Sequence, residues 1–272
     1  MLSAGIIVFR ETLEAAMIIG IIGAATQGIA GRMRWLLGGL GAGLGGALIV
    51  AMLTERIANL AEGTGQELFN AGVLCLAAIM LSWHNIWMAG HGAELAREVR
   101  QAGHDIRTGS KTLSAIFAIV TLAVLREGSE TALFLYGLLV SGENSVASTI
   151  AGGGLGLTAG ILSGYLMYTG FTHVPTRWFF AVTNTLILLL AASMAAQMAR
   201  FLVQADYLPS LATPVWDSSD FVTNHSALGT VLHALVGYES TPSGMQLAFY
   251  VGTIAVVSAG MRWAKTHPST SL

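Results

Sequence analysis

Two five-residue stretches carry most of the chemistry available to this chain. Arg10-Glu11-Thr12-Leu13-Glu14 and Arg126-Glu127-Gly128-Ser129-Glu130 both read R-E-x-x-E, and both interrupt long apolar runs. A charged side chain near a bilayer centre costs roughly 2.5 to 3.5 kcal/mol, so two arginines and four glutamates together represent on the order of 15 kcal/mol or more. Residues three apart share a helix face, so Glu11 and Glu14 project together, as do Glu127 and Glu130. Two such helices facing each other converge four carboxylates, the hard oxygen donors that inward glutamates supply in di-metal bundles. Those donors suit Mg, Ca, Mn and Fe rather than Cu(I), which prefers sulfur. Arg10 and Glu14 are four apart, as are Arg126 and Glu130, so each motif closes its own ion pair and orients a carboxylate. Four glutamates against two arginines leave the bare site at −2, hence neutral with a divalent ion and +1 with a trivalent one. The bland alternative is a set of buried salt bridges that only hold helices together. Buried pairs rarely stabilise more than packed apolar residues, and intramembrane ionisable groups are functional by default.

Long apolar elements must position these motifs. The chain has 272 residues, 54% hydrophobic and only 10% charged, with 33 glycines, whereas a soluble domain carries about 25% charged residues. Composition therefore points to a polytopic membrane protein, and the continuous rather than alternating runs point to an all-α one. Seven transmembrane helices are expected at about 3–28, 34–54, 68–92, 112–141, 146–171, 178–203 and 244–263, each long enough for the roughly 30 Å hydrocarbon core. A net charge of −2 without a basic patch gives no reason to expect a nucleic-acid partner; the lipid bilayer is the expected surroundings. The lone Cys75 rules out an internal disulfide and reads as a small core residue. Residues 1–9 lack a positive n-region and the apolar run continues to about Thr26, so an uncleaved first span is expected rather than a signal peptide.

Basic residues set the expected orientation. Arg32, Arg34, Arg97, Arg100, Arg107, Lys111, Arg177, Arg262 and Lys265 fall in alternate connections or the tail, while the other connections hold only Arg56 and Arg200 among many acids. The positive-inside rule then puts the N-terminus outside and the C-terminus inside. Gly38-Gly39-Leu40-Gly41 and Gly153-Gly154-Leu155-Gly156 are 115 positions apart, and the two R-E-x-x-E motifs 116 apart. That shared offset implies internal repeats at about 1–110 and 111–205. Three spans separate equivalents, so the halves run in opposite directions: a 3+3 inverted repeat plus one span, within a single transmembrane domain covering 1–272. The glycines themselves read first as close helix packing. All five prolines fall in connections or the tail, so the site should be built from side chains rather than unwound backbone.

The outer connection, 204–243, contains a short amphipathic segment, Ser226 to Tyr238, with Leu228, Val231, Leu232, Leu235 and Val236 at helical spacing; the seventh helix and cytoplasmic tail occupy 244–272. Asp217, Asp220 and His225 precede the segment as candidates for recruiting cations at the outer mouth, though loop carboxylates more often cap turns. Glu67, near the outer end of the third span, is another candidate at the mouth. His84, Met88 and His91 fall near one face of the third span at spacings of four and three, which admits metal or haem ligation but is more often core or lumen lining. Met194 and Met198 read as core packing.

With these residues in view, the chain resembles the oxidase-dependent iron permease family, the high-affinity iron transporters of fungi and their bacterial counterparts in the ferrous iron uptake system. Phe9-Arg10-Glu11-Thr12-Leu13-Glu14-Ala15-Ala16 and Leu125-Arg126-Glu127-Gly128-Ser129-Glu130-Thr131-Ala132 match the family's paired signatures. Gln66-Glu67-Leu68-Phe69, the Trp83 to Met88 segment, His225-Ser226, Gly229-Thr230 and Gly237-Tyr238 also look like bacterial members. The resemblance implies iron import across the cytoplasmic (inner) membrane, with Glu11, Glu14, Glu127 and Glu130 handling the iron ion, Arg10 and Arg126 as counter-charges, and no enzymatic activity. It implies no cofactor, only iron as the transported substrate, and it implies separate periplasmic ferroxidase or peroxidase and iron-binding partner proteins. Monomer and homo-oligomer are both compatible with it. Thr12 departs from the family's frequent glycine, which bears on how closely the first helix meets its neighbour. The other readings are a transporter of Mn(II) or Pb(II) and a membrane haem oxidoreductase using His84 and His91.

Overall fold

The computed structural model describes residues 1–60, 66–141, 145–169, 176–224 and 226–266. Among these there are eight helices and no strand: α1 (Leu2–Ala25), α2 (Arg32–Leu60), α3 (Gln66–Arg107), α4 (Ser114–Val140), α5 (Val146–Tyr168), α6 (Thr176–Gln204), α7 (Ala227–Val236) and α8 (Gly244–Thr266). Stretches of α2, α3, α5, α6 and α8 are long and apolar enough to cross a membrane. α1 and α4 are of similar length and apolar character, apart from the arginine and two glutamates that each carries in its middle.

α3 runs well beyond the expected span. At 42 residues it is about 63 Å long, twice the hydrocarbon core. No proline interrupts it after residue 92, and the basic extension keeps an apolar stripe: Val99, Ala102 and Ile106 are buried. Val99 and Ile106 pack with Ile22, Leu36 and Ile116. This places the end of α1, the end of α3 and the starts of α2 and α4 together, along with Arg32, Arg34, Arg97, Arg100, Arg107 and Lys111. Arg32 Nη1 fixes the turn by donating to the Gly23 carbonyl at 2.6 Å. Met1, near the start of α5, and the 205–243 connection lie at the opposite end.

α7 forms where amphipathic spacing predicts it. Ser226 caps its N-terminus by accepting from the Gly229 amide at 2.9 Å, and Gly237 ends it at φ 68°, a left-handed conformation that glycine adopts without a Cβ penalty. It packs on α6 and α1, with Leu228 and Val231 exposed. The described prolines, Pro209, Pro214 and Pro242, lie outside the helices.

The packing is reciprocal. α1 makes its most extensive contact with α5, and α4 with α2. Glycines permit both approaches: a Cβ at Gly43 would sit 2.7 Å from Val124 Cβ, and one at Gly160 would sit 2.7 Å from Thr12 Cβ. Of the two glycine echoes, Gly39 and Gly156 face the partner helix, whereas Gly41 and Gly154 meet nothing within 4 Å. α3 and α6 also echo each other in burial. Leu74, Ala77, Ala78 and Leu81 share one core with Ile187, Leu190, Ala191 and Met194, each of the second set 113 residues after its counterpart. Met194 and Met198 belong to this core, as expected. Two apolar layers result: this one, joined by Ala4, Ile7, Phe134 and Leu138, and the layer of Ile22, Leu36, Val99, Ile106, Ile116, Val120 and Val124. The R-E-x-x-E motifs lie between them.

Thr12 and Gly128 show how one interface accepts what the other does not. Thr12 lies against Gly160, and Gly128 lies against Ala47, whose Cβ would be 2.6 Å from one added at Gly128. Thus each motif position of one size meets a partner of complementary size. Gly128→Ala is expected to lower stability by about 1–3 kcal/mol through overpacking, despite alanine's better helix propensity. Adding Ala47→Gly should recover most of the loss. Thermal unfolding of the purified single and double variants in detergent measures both.

Candidate metal centre

Each motif folds its charges onto one helix face and closes its own pair. Arg10 Nε lies 2.9 Å from Glu14 Oε1 and Arg126 Nε lies 3.2 Å from Glu130 Oε1, the pairs expected from the i, i+4 spacing. Arg10 also reaches Glu11 Oε1 at 3.2 Å, and Arg126 stands 3.9 Å from Glu127 Oε1. The two arginines differ in surroundings. Arg10 is fully buried, while the Arg126 side chain is 38% exposed and lies over the Trp87 ring at 4.5 Å; His91 also stacks with Trp87, ring centroids 5.2 Å apart.

α3 supplies the seventh polar group. His84, 2% exposed, has Nδ1 2.6 Å from Glu130 Oε2 and Nε2 3.4 Å from Glu14 Oε2. It therefore bridges the corresponding last glutamates of the two motifs. Ligand atoms of Glu11, His84, Glu127 and Glu130 all lie within 4.8 Å of one another. Glu14 sits beside this group, held by Arg10 and His84. Glu11 Oε2 and Glu127 Oε2 are buried with no hydrogen-bond partner among the described residues. Carboxylates this close demand a cation or a shared proton, and the apolar layers on both sides keep the local dielectric low, so a cation there is held strongly.

The other sequence candidates fall elsewhere. Met88 is half-buried one turn beyond His84, and Glu67 is exposed in the first turn of α3. Asp220 is exposed. Asp217 is also exposed and accepts from the Ser219 amide at 3.0 Å and from the Ser219 hydroxyl; that hydroxyl bond, aided by the amide, holds its pKa below the usual aspartate value. It therefore stabilises its own turn, as loop carboxylates commonly do. His225 lies outside the described residues.

The iron permease FTR1 family model matches residues 1–266. The chain belongs to that family. It is 30% identical over 254 residues to the ferrous iron permease EfeU of Escherichia coli O157:H7, covering 90% of this chain and 89% of the relative. It is equally identical over 253 residues to the ferrous iron permease EfeU of Yersinia pestis, covering 90% and 87%. No solved structure matches. With its long apolar helices, this is a membrane protein of an iron-transport family.

The burial difference between the arginines has a measurable consequence. Removing one partner of a buried charge network costs about 3–5 kcal/mol because the other charge is left uncompensated. Arg10→Gln should therefore destabilise the purified protein by about that amount, and Arg126→Gln by clearly less, since Arg126 is only partly enclosed and rests on the Trp87 face. Equal losses in unfolding titrations would contradict the assignment of Arg10 as the buried counter-charge.

Proposed function

We propose that this chain imports iron across the cytoplasmic membrane, with the iron ion held by Glu11, Glu14, Glu127 and Glu130 of the two R-E-x-x-E motifs. The observation that carries this reading is the convergence of both motifs, from the middles of α1 and α4, on one buried cluster between two apolar layers. Arg10 and Arg126 act as counter-charges that lower the cost of the site between ions. Membership of an iron permease family, and relatives named ferrous iron permeases, support iron as the cargo. The protein works as a transporter, not as an enzyme.

α1 to α6 and α8 serve as seven spans, with the N-terminus outside and the C-terminus inside. The gathering of basic residues at one end of the bundle supports that orientation. Residues 1–110 and 111–205 act as inverted repeats, a reading supported by the reciprocal α1–α5 and α4–α2 packing and by the burial echo between α3 and α6. Iron passes the acidic outer connection, with Glu67, Asp217 and Asp220 as entry residues and His225, outside the described residues, as the fourth candidate. It reaches the carboxylates and leaves inward when the halves rearrange. Periplasmic ferroxidase or peroxidase and iron-binding proteins would deliver it, and a homo-oligomer is compatible with the exposed apolar faces of α2 and α5.

Transport of Mn(II) or Pb(II) by the same carboxylates is the competing reading. Uptake of radiolabelled iron into proteoliposomes, with competing metals, decides between them. Each of Glu11→Gln, Glu14→Gln, Glu127→Gln and Glu130→Gln should cut iron uptake at least about tenfold, the loss expected when a charged ligand to a buried cation is neutralised. Full uptake by these variants, or iron-independent uptake of another ion by the parent protein, would refute the proposal.

A further inference from the structure

We propose that His84 is a nitrogen ligand of the transport site and the residue that makes it select a transition-metal ion over Mg(II) and Ca(II). The inference rests on the reading of the carboxylate cluster as the transport site and adds a donor that neither R-E-x-x-E motif contains.

Three observations carry it. His84 enters from a third helix, α3, and its ligand atom lies within the same 4.8 Å group as those of Glu11, Glu127 and Glu130. Its Nε2 stands 3.4 Å from Glu14 Oε2. Two atoms each about 2.1 Å from one first-row metal ion lie roughly 3.0–3.4 Å apart at the usual bond angles, so this pair already has the spacing of co-ligands. Its Nδ1 lies 2.6 Å from Glu130 Oε2, the arrangement in which a carboxylate fixes the tautomer and ring orientation of a metal-binding histidine. The two carboxylates at its nitrogens place the ring inside the charged centre rather than in the apolar core.

The chemical consequence follows from the donor types. Carboxylate oxygens suit Mg(II), Ca(II) and Mn(II), so an all-carboxylate cluster discriminates only weakly against the abundant hard ions. An imidazole nitrogen favours later first-row ions and gives nothing to magnesium or calcium, which take oxygen. Replacing the ring by an amide keeps the site polar and removes that bias. Arg10 and Arg126, the other charged groups facing the cluster, do not differ in their effect on ions of equal charge.

X-ray absorption at the iron edge of the purified full-length protein loaded anaerobically with Fe(II) tests the ligand directly. The outer-shell scattering of an imidazole ring is expected in the parent protein and should be lost in His84→Gln. An all-oxygen shell in the parent protein would overturn the inference, even if the glutamate variants behave as the transport reading requires. In proteoliposomes, competition by Mg(II) and Ca(II) against iron uptake should rise at least about tenfold in His84→Gln, the order expected when a ligand or its orienting contact is lost. An unchanged competition profile would equally overturn it. Should His84→Gln fail to fold, the spectrum of the parent protein alone decides.

Discussion

Charge balance inside an apolar bundle is the constraint on which the rest of this structure depends. Four glutamates meet within a layer bounded on both sides by Ala, Ile, Leu, Val and Phe side chains, where Coulomb energies are several times those at a surface. Two arginines cannot neutralise four carboxylates. The structure sets His84 between Glu14 and Glu130 and leaves Glu11 Oε2 and Glu127 Oε2 buried without a hydrogen-bond partner among the described residues. A cluster arranged this way is incomplete without a cation or a proton. That is the physical property a permease needs: a site that is costly when bare, and hence takes up an ion, but not so costly that the bundle fails to fold.

Helix packing serves the same end. α1 and α4 carry charges that cannot face lipid, so each must be covered by neighbours, and a covering helix can only approach a charged one closely if its own contact face is small. α2 and α5 are the glycine-rich helices, and they are the ones that lie tightest on α4 and α1. The pairing of Thr12 with Gly160 and of Gly128 with Ala47 shows that volume is conserved across each interface rather than at each position. This is why a threonine in the first motif leaves its carboxylates in register with those of the second.

Much of this was legible in the chain itself. Arg10 and Glu14 pair because helix geometry puts residues four apart in contact, and the glycine-rich faces read first as close packing, which Gly39, Gly43, Gly156 and Gly160 make while Gly41 and Gly154 do not. α7 announced itself by periodicity, with Ser226 and Gly237 as its stops. Two features were not legible. The extension of α3 to Arg107 reads, by charge, as a connection; only the buried Val99, Ala102 and Ile106 reveal it as helix docked on the ends of its neighbours. His84 showed the right spacing with Met88 and His91 for a ligating face, but spacing along one helix says nothing about which carboxylates that face will meet. The relevant signal lay in the core: the burial register of α3 against α6, at an offset close to that of the motifs, identifies His84 as a site-facing position that sequence identity between the third elements did not disclose.

That register also pairs His84 with a second buried polar residue. The residue that stands to α6 as His84 stands to α3 is Gln197, 113 positions later, and it too is buried. The point between Glu14 and Glu130 is occupied from α3, by His84. α3 fills it, and accordingly packs on α1 and α4 more extensively than α6 does. The arginines follow the same division: Arg10 is sealed, whereas Arg126 remains partly open against Trp87. His84 and Gln197 thus share a burial register but not a setting: His84 stands between carboxylates of α1 and α4, the two helices on which α3 packs more extensively than α6 does.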